Sequence, residues 1–123
     1  MTREFLLIDD DADELDVFKD ALKVIDKTIR CTQVMDLEEA KEFLASTTPV
    51  FIFIDYNMPK TNGFACLEEL KKNAKLDGTR IVIYSNYISE EMEAKARKLG
   101  AYCCLKKPAT IITLSNKLRD ILS

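Results

Sequence analysis

Four short runs of the chain are apolar throughout: Phe5–Ile8 (FLLI), Val50–Ile54 (VFIFI), Ile81–Tyr84 (IVIY) and Ala101–Leu105 (AYCCL). Continuous runs of this length predict parallel strands covered on both faces. Thr28–Val34 (TIRCTQV) instead alternates apolar with polar, as an outer strand with one less covered face does. Between the five runs lie segments with one-faced helical spacing: Leu15, Phe18, Leu22 and Ile25; Leu37, Ala40 and Phe43 or Leu44; Phe64, Leu67 and Leu70; Met92, Ala96 and Leu99. A last helix follows from Ile111, Leu114, Leu118 and Ile121, with Pro108 placed to start it.

Local signals sharpen the boundaries. Asp36 with Glu39 has the spacing of a capping box, Ser89 stands as an N-cap three residues before Met92, and Gly100 closes the fourth helix. The chain thus reads as βα repeated five times. Parallel neighbours need crossover connections, nearly always right-handed, so the fold class is α/β: a five-stranded parallel sheet with helices on both faces. The flavodoxin-like strand order 2-1-3-4-5 fits five such units.

Length and composition narrow the picture. At 123 residues, 47% apolar and 32% charged, the chain is expected to form one domain over residues 1–123 with its own core. Its formal charge of −3 provides no positive field for nucleic-acid phosphates, so no direct nucleic-acid contact is expected. No apolar stretch is long enough to insert in a membrane, and residues 1–8 lack a leader's pattern; a cytoplasmic protein is expected. Cys31, Cys66, Cys103 and Cys104 show no C-x-x-C spacing and the chain has no histidine, which points to buried apolar thiols rather than a zinc site or disulfides.

The chemistry gathers after the strands. Asp9, Asp10 and Asp11 follow the first strand, Asp55 the third, Ser85 the fourth, and Lys106, Lys107 and Pro108 the fifth, while the second ends without comparable groups. In an open sheet of this type ligands bind beyond the carboxyl ends of the strands, where the winding reverses. The expected order makes the first and third strands neighbours, bringing Asp9, Asp10 and Asp55 together. Carboxylates so close either retain protons or share a cation. All-oxygen donors with a backbone carbonyl suit a hard divalent ion, Mg²⁺ or, as an alternative, Mn²⁺. Asp11 reads more simply as the cap of the first helix.

The pieces LIDDD, FIDYNMPKTNGF, IVIYSN and AYCCLKKP, in that order across the whole chain, resemble the receiver domain of two-component response regulators. The resemblance implies that Asp55 is the phosphoacceptor and that Asp10, Asp55 and the backbone carbonyl of Asn57 hold the metal, with Asp9 acting through metal-bound water. It implies that the Ser85 hydroxyl and the Lys107 ammonium meet the phosphoryl group, and that the peptide bond between Lys107 and Pro108 is cis. It further implies a sensor histidine kinase or histidine phosphotransfer domain as donor, a downstream protein target, and a protein that catalyses only its own phosphorylation and dephosphorylation. A surface formed by the fourth helix, fifth strand and fifth helix would switch.

Several positions depart from the family's habit. Cys104 stands where an aromatic side chain is usual, with Tyr102 two residues earlier, and Ser85 replaces threonine. Asn86 follows where a small residue is usual; with Asn57 and Tyr87 it is expected to influence the lifetime of the acyl phosphate. The alternative within the same family is a degenerate receiver that binds a partner without phosphorylation, against which the full set Asp10, Asp55, Ser85 and Lys107 argues. An aspartyl phosphatase would want an acid where Asn57 stands, and the anionic DDDAD after the first strand would repel a flavin phosphate.

Overall fold

The computed structural model describes residues 3–58 and 60–122. Pro59, part of the Met-Pro pair in the quoted motif, lies outside the described residues. Five strands and five helices alternate: β1 (Glu4–Ile8), α1 (Ala12–Ile25), β2 (Arg30–Val34), α2 (Leu37–Leu44), β3 (Phe51–Asp55), α3 (Gly63–Lys71), β4 (Arg80–Ser85), α4 (Glu90–Lys98), β5 (Cys103–Lys106) and α5 (Ile111–Leu122), with a short 3₁₀ turn at Ala74–Leu76. All pairings are parallel and the sheet order is β2-β1-β3-β4-β5, as expected.

Side-chain alternation along these strands builds two cores. Leu6, Ile8, Ile52, Ile54, Ile81 and Ile83 pack on one face against Ala40 and Leu44 of α2, Leu67 and Leu70 of α3, and Ala96 of α4. Phe5, Leu7, Phe51, Phe53, Val82 and Tyr84 pack on the other against Phe18 and Leu22 of α1 and Leu114 and Leu118 of α5. Phe18 meets Phe53 at 4.8 Å and Tyr84 at 5.6 Å, both edge-on, the geometry favoured by aromatic quadrupoles. β1, β3 and β4 are covered on both faces, while the edge strands β2 and β5 are less so.

Most boundary signals act as expected. Asp11 caps α1 by accepting from the Asp13 N–H at 3.0 Å, and Ser89 caps α4 by accepting from the Met92 N–H at 3.1 Å. Gly100, at φ 101°, ends α4 in a left-handed turn: its N–H reaches the Arg97 carbonyl and the Ala101 N–H the Ala96 carbonyl. That turn consumes Ala101, so the fifth strand begins at Cys103, two residues later than its apolar run suggests.

Four expectations need correction. Asp36 accepts from the Glu39 N–H, but the Glu39 carboxylate accepts from the Met35 N–H, not the cap's own, so the box is displaced by one residue. Pro108 does not start α5, which begins at Ile111; the Thr110 hydroxyl accepts from the Thr113 N–H at 3.1 Å and does the capping. The peptide bond between Lys107 and Pro108 is trans. Cys31 and Cys66 are buried, whereas Cys103 and Cys104 are only partly so, because β5 lies at the sheet's edge. Among the described residues no helix is long and apolar enough to cross a membrane.

Candidate functional site

The parity that separates the two cores also aims the site. Along β1, Phe5 and Leu7 face α1 and α5, and Asp9 continues their row; Asp55 continues Phe51 and Phe53; Lys107 continues Cys103 and Leu105. Three charged side chains from three strands therefore converge on one side of the sheet's carboxyl end, above the ring of Tyr84. The ladders continue just past the strands to hold them: the Asp9 N–H donates to Val34 (3.0 Å), Tyr56 to Tyr84 (2.9 Å) and Lys107 to Ser85 (2.8 Å).

Lys107 lies at the centre. Its ammonium is 3.2 Å from Asp55 Oδ1, 3.3 Å from Asp9 Oδ2 and 3.7 Å from Glu14 Oε1, and 5.2 Å from the centre of the Tyr84 ring. The Lys107 side chain is 12% exposed, Asp9 is fully buried and Asp55 is 6% exposed. Carboxylate oxygens of Asp9, Asp10 and Asp55 lie within 4.8 Å of one another, Asp10 being the exposed member. All three acids expected to meet do so, and Lys107 reaches two of them.

These contacts set the titration. Burial pushes the Asp9 carboxyl up to about 6, the Asp11 N–H and Lys107 pulling the other way and Asp55 adding to the rise. Burial by itself favours the neutral amine at Lys107, but Asp9, Asp55 and Glu14 outweigh it and the ammonium is held above its ordinary range. Burial of Asp9 and the Lys107 ammonium between Asp9 and Asp55 thus both act on the crowded acids.

Local structure fixes the remaining pieces. Asp9 Oδ1 accepts from the Asp11 N–H at 2.9 Å, and Asp55 Oδ1 from the Asn57 N–H at 3.3 Å. Asn57 forms an isolated bridge with Asn62, which caps α3 by accepting from the Ala65 N–H. Gly63 donates to the Tyr56 carbonyl at 2.9 Å, and a Cβ there would come to 3.0 Å from the Tyr56 Cα, a crowding that glycine avoids where α3 closes behind Asp55. Ser85 is buried and its hydroxyl is occupied: it donates to the Tyr87 carbonyl at 2.9 Å and accepts from the Tyr87 N–H at 3.3 Å. Asn86 and Tyr87 are exposed beside it.

Sequence reasoning passed over three contributors. Glu14 completes the carboxylate set around Lys107 from the first turn of α1. Tyr84 floors the ammonium. Gln33, in the strand set aside as lacking chemistry, donates from Nε2 to the carbonyls of Asp9 (2.6 Å) and Asp11 (2.8 Å) and so braces the acidic loop. Its only signal was a polar residue inside the least covered strand. At the position where the family usually has an aromatic, Cys104 packs against the α2–α4 core, and Tyr102 sits before β5, at the sheet's opposite end, 4.7 Å from the Arg80 guanidinium.

Comparison with known proteins accords with this geometry. Stress response regulator protein 1 of Candida dubliniensis is 24% identical over 123 residues, covering 98% of this chain and 43% of that protein, so the chain spans less than half of that relative's length. The two-component response regulator ORR12 of Oryza sativa subsp. japonica is 34% identical over 94 residues, 76% of this chain and 78% of that one. Among solved structures, the chemotaxis response regulator CheY4 of Vibrio cholerae superposes with a TM-score of 0.85 at 22% identity, over 98% of this chain and 99% of that one. The Mn²⁺-bound form of response regulator Rcp1 gives 0.79 at 23%, over 97% and 91%. Those structural likenesses speak to the fold alone. The response regulator receiver domain model, however, matches residues 5–119, nearly the whole chain, and on that match the chain belongs to the response regulator receiver domain family of two-component systems.

Proposed function

We propose that this receiver domain accepts a phosphoryl group on Asp55 in a Mg²⁺-dependent reaction. The observation that carries the reading is the convergence of Asp9, Asp10 and Asp55 within 4.8 Å, with the Lys107 ammonium 3.2 Å from Asp55. Lys107 and the Asn57 N–H both contact Oδ1, which leaves Oδ2 of Asp55 as the nucleophilic oxygen. It attacks the phosphorus of a phosphohistidine presented by a sensor histidine kinase or histidine phosphotransfer domain. A P–O bond forms, the P–N bond breaks, and its electron pair leaves with the imidazole.

The donor set fits a hard divalent ion: three carboxylates of which one is exposed, no nitrogen or sulfur ligand, and a backbone carbonyl close by in sequence. Asp10 and Asp55 would hold Mg²⁺ directly, Asp9 through water, and Asn57 through its main-chain carbonyl; Mn²⁺, present in one structural relative, has the same preference. When bound, the ion supplies positive charge to the phosphoryl oxygens. Lys107 supplies positive charge of its own, already positioned by its backbone bond to Ser85. The Ser85 hydroxyl has to leave the Tyr87 backbone to meet the new oxygens, and that exchange would move the loop leading to α4. Through it the surface of α4, β5 and α5 would change for a downstream protein.

Incubation with phosphoramidate and Mg²⁺, followed by intact-mass spectrometry, tests the reading. One phosphoryl addition is expected, lost in Asp55→Asn and on chelation of the metal. Equal labelling of Asp55→Asn refutes it.

A further inference from the structure

Lined by none of the acids around Lys107, a groove of about 360 Å³ runs between the second half of α1 and β2. Its rim carries Lys19, Lys23, Lys27 and Arg30, and its floor is Leu22, Ile29 and the buried Cys31; no acid lines it. Lys19, Leu22 and Lys23 share a helix face by their i, i+3, i+4 spacing. Among the described residues none of the four cations forms an ion pair or a side-chain hydrogen bond. Asp16 and Asp20 lie within a turn of Lys19 and Lys23 on α1, yet neither pairs with them. In a chain whose formal charge is −3, four cations without an ion pair around one apolar trough form a local exception, with Glu4, opposite Arg30 on β1, the nearest acid across the sheet.

The strand beside the groove has an unused edge. β2 is outermost in the sheet. The Arg30 N–H donates to the Arg3 carbonyl and the Val34 carbonyl accepts from the Asp9 N–H, so residues 30, 32 and 34 turn their backbone groups toward β1. The alternate residues Cys31 and Gln33 turn theirs outward, where no strand follows.

We propose that this edge docks an extended, acidic segment of another protein, which adds to the sheet beside β2. Main-chain bonds to Cys31 and Gln33 provide the pairing, and every second side chain of the incoming segment falls on the α1 side, where carboxylates meet Lys19 and Lys23 and apolar groups cover Leu22 and Cys31. A second copy of this chain does not fit, because edge-to-edge pairing would set the same four cations against each other. The apolar floor and the strand edge favour a peptide over a nucleic acid, which needs neither. Gln33 ties the strand edge to the acidic loop through its side chain, so the docked segment and the phosphorylation site share one residue.

The test uses the intact chain and a fluorescein-labelled peptide of alternating glutamate and valine. Anisotropy is expected to show binding that weakens with added salt and falls at least about tenfold in Lys19→Glu/Lys23→Glu, a loss of about 1.4 kcal/mol or more. Both substituted positions are exposed, so circular dichroism of the variant should match that of the parent. Hydrogen exchange on the complex should show new protection at the Cys31 and Gln33 amides and no change at Thr32, which already faces β1. Absence of binding, unchanged affinity in the double variant, unprotected Cys31 and Gln33 amides, or equal affinity for a single-stranded oligonucleotide of the same charge each overturns the proposal.

Discussion

Lys107 and the pair Lys19 and Lys23 are the same side chain in opposite surroundings. Lys107 is drawn down among Asp9, Asp55 and Glu14 and is nearly buried, whereas Lys19 and Lys23 stand exposed and form no ion pair. Charge that folding gathers from distant strands is neutralised within the molecule and becomes part of its structure. Charge left on a rim is neutralised by water and salt, and is available to a partner. Removing each kind should therefore have very different consequences for stability.

The largest effect is expected at Lys107. Lys107→Ala leaves Asp9 and Asp55 buried without their counter-charge, a change of the kind that costs about 3 kcal/mol, measurable as a lower urea midpoint in metal-free buffer. The cost arises from the stranded acids more than from the lost pair, so Lys107→Ala combined with Asp9→Asn should lose less than the sum of the two single changes. Strict additivity would mean that the three groups do not act as one cluster.

How far this cluster could be foreseen follows from what the sequence encodes. Asp9, Asp55 and Lys107 each continue an apolar row by strand parity, so a reader who finds the strands also finds the side on which the charges meet. Positions governed by loop geometry were not legible in the same way. Ser85 is engaged by the Tyr87 backbone, and nothing in the order of residues says so. Gln33 looks like an outward polar residue until the loop after β1 folds over it. Likewise Ala101 belongs to an apolar run but is consumed by the turn at Gly100, and Pro108 yields the start of α5 to Thr110, whose hydroxyl can cap where proline cannot.

The next effect is one of pH. Asp9 has an ordinary value of 3.8 and a folded one of about 6, so the folded state holds its proton more tightly than the unfolded chain does. The sign follows: this group favours folding most at pH values below 3.8, its contribution falls as pH rises from there through about 6, and it is constant above. With metal chelated, Asp9→Asn should remove that part of the slope between about pH 4 and pH 6 when urea midpoints are compared. An identical slope in the variant would place the perturbed titration elsewhere.

The smallest expected effect completes the contrast. Lys19→Glu/Lys23→Glu should change the urea midpoint by no more than about 0.5 kcal/mol equivalent, since neither side chain is packed or paired in the folded chain. Modest stabilisation would even be consistent with glutamate in place of lysine relieving repulsion from Lys27 and Arg30. A loss as large as that of Lys107→Ala would show that the rim cations carry the groove's structure, and the division between gathered and exposed charge would fail. Salt separates the two cases without mutation: added salt screens the exposed rim strongly but reaches the nearly buried Lys107 cluster weakly, so peptide docking should be salt-sensitive at concentrations that leave folding stability almost unchanged.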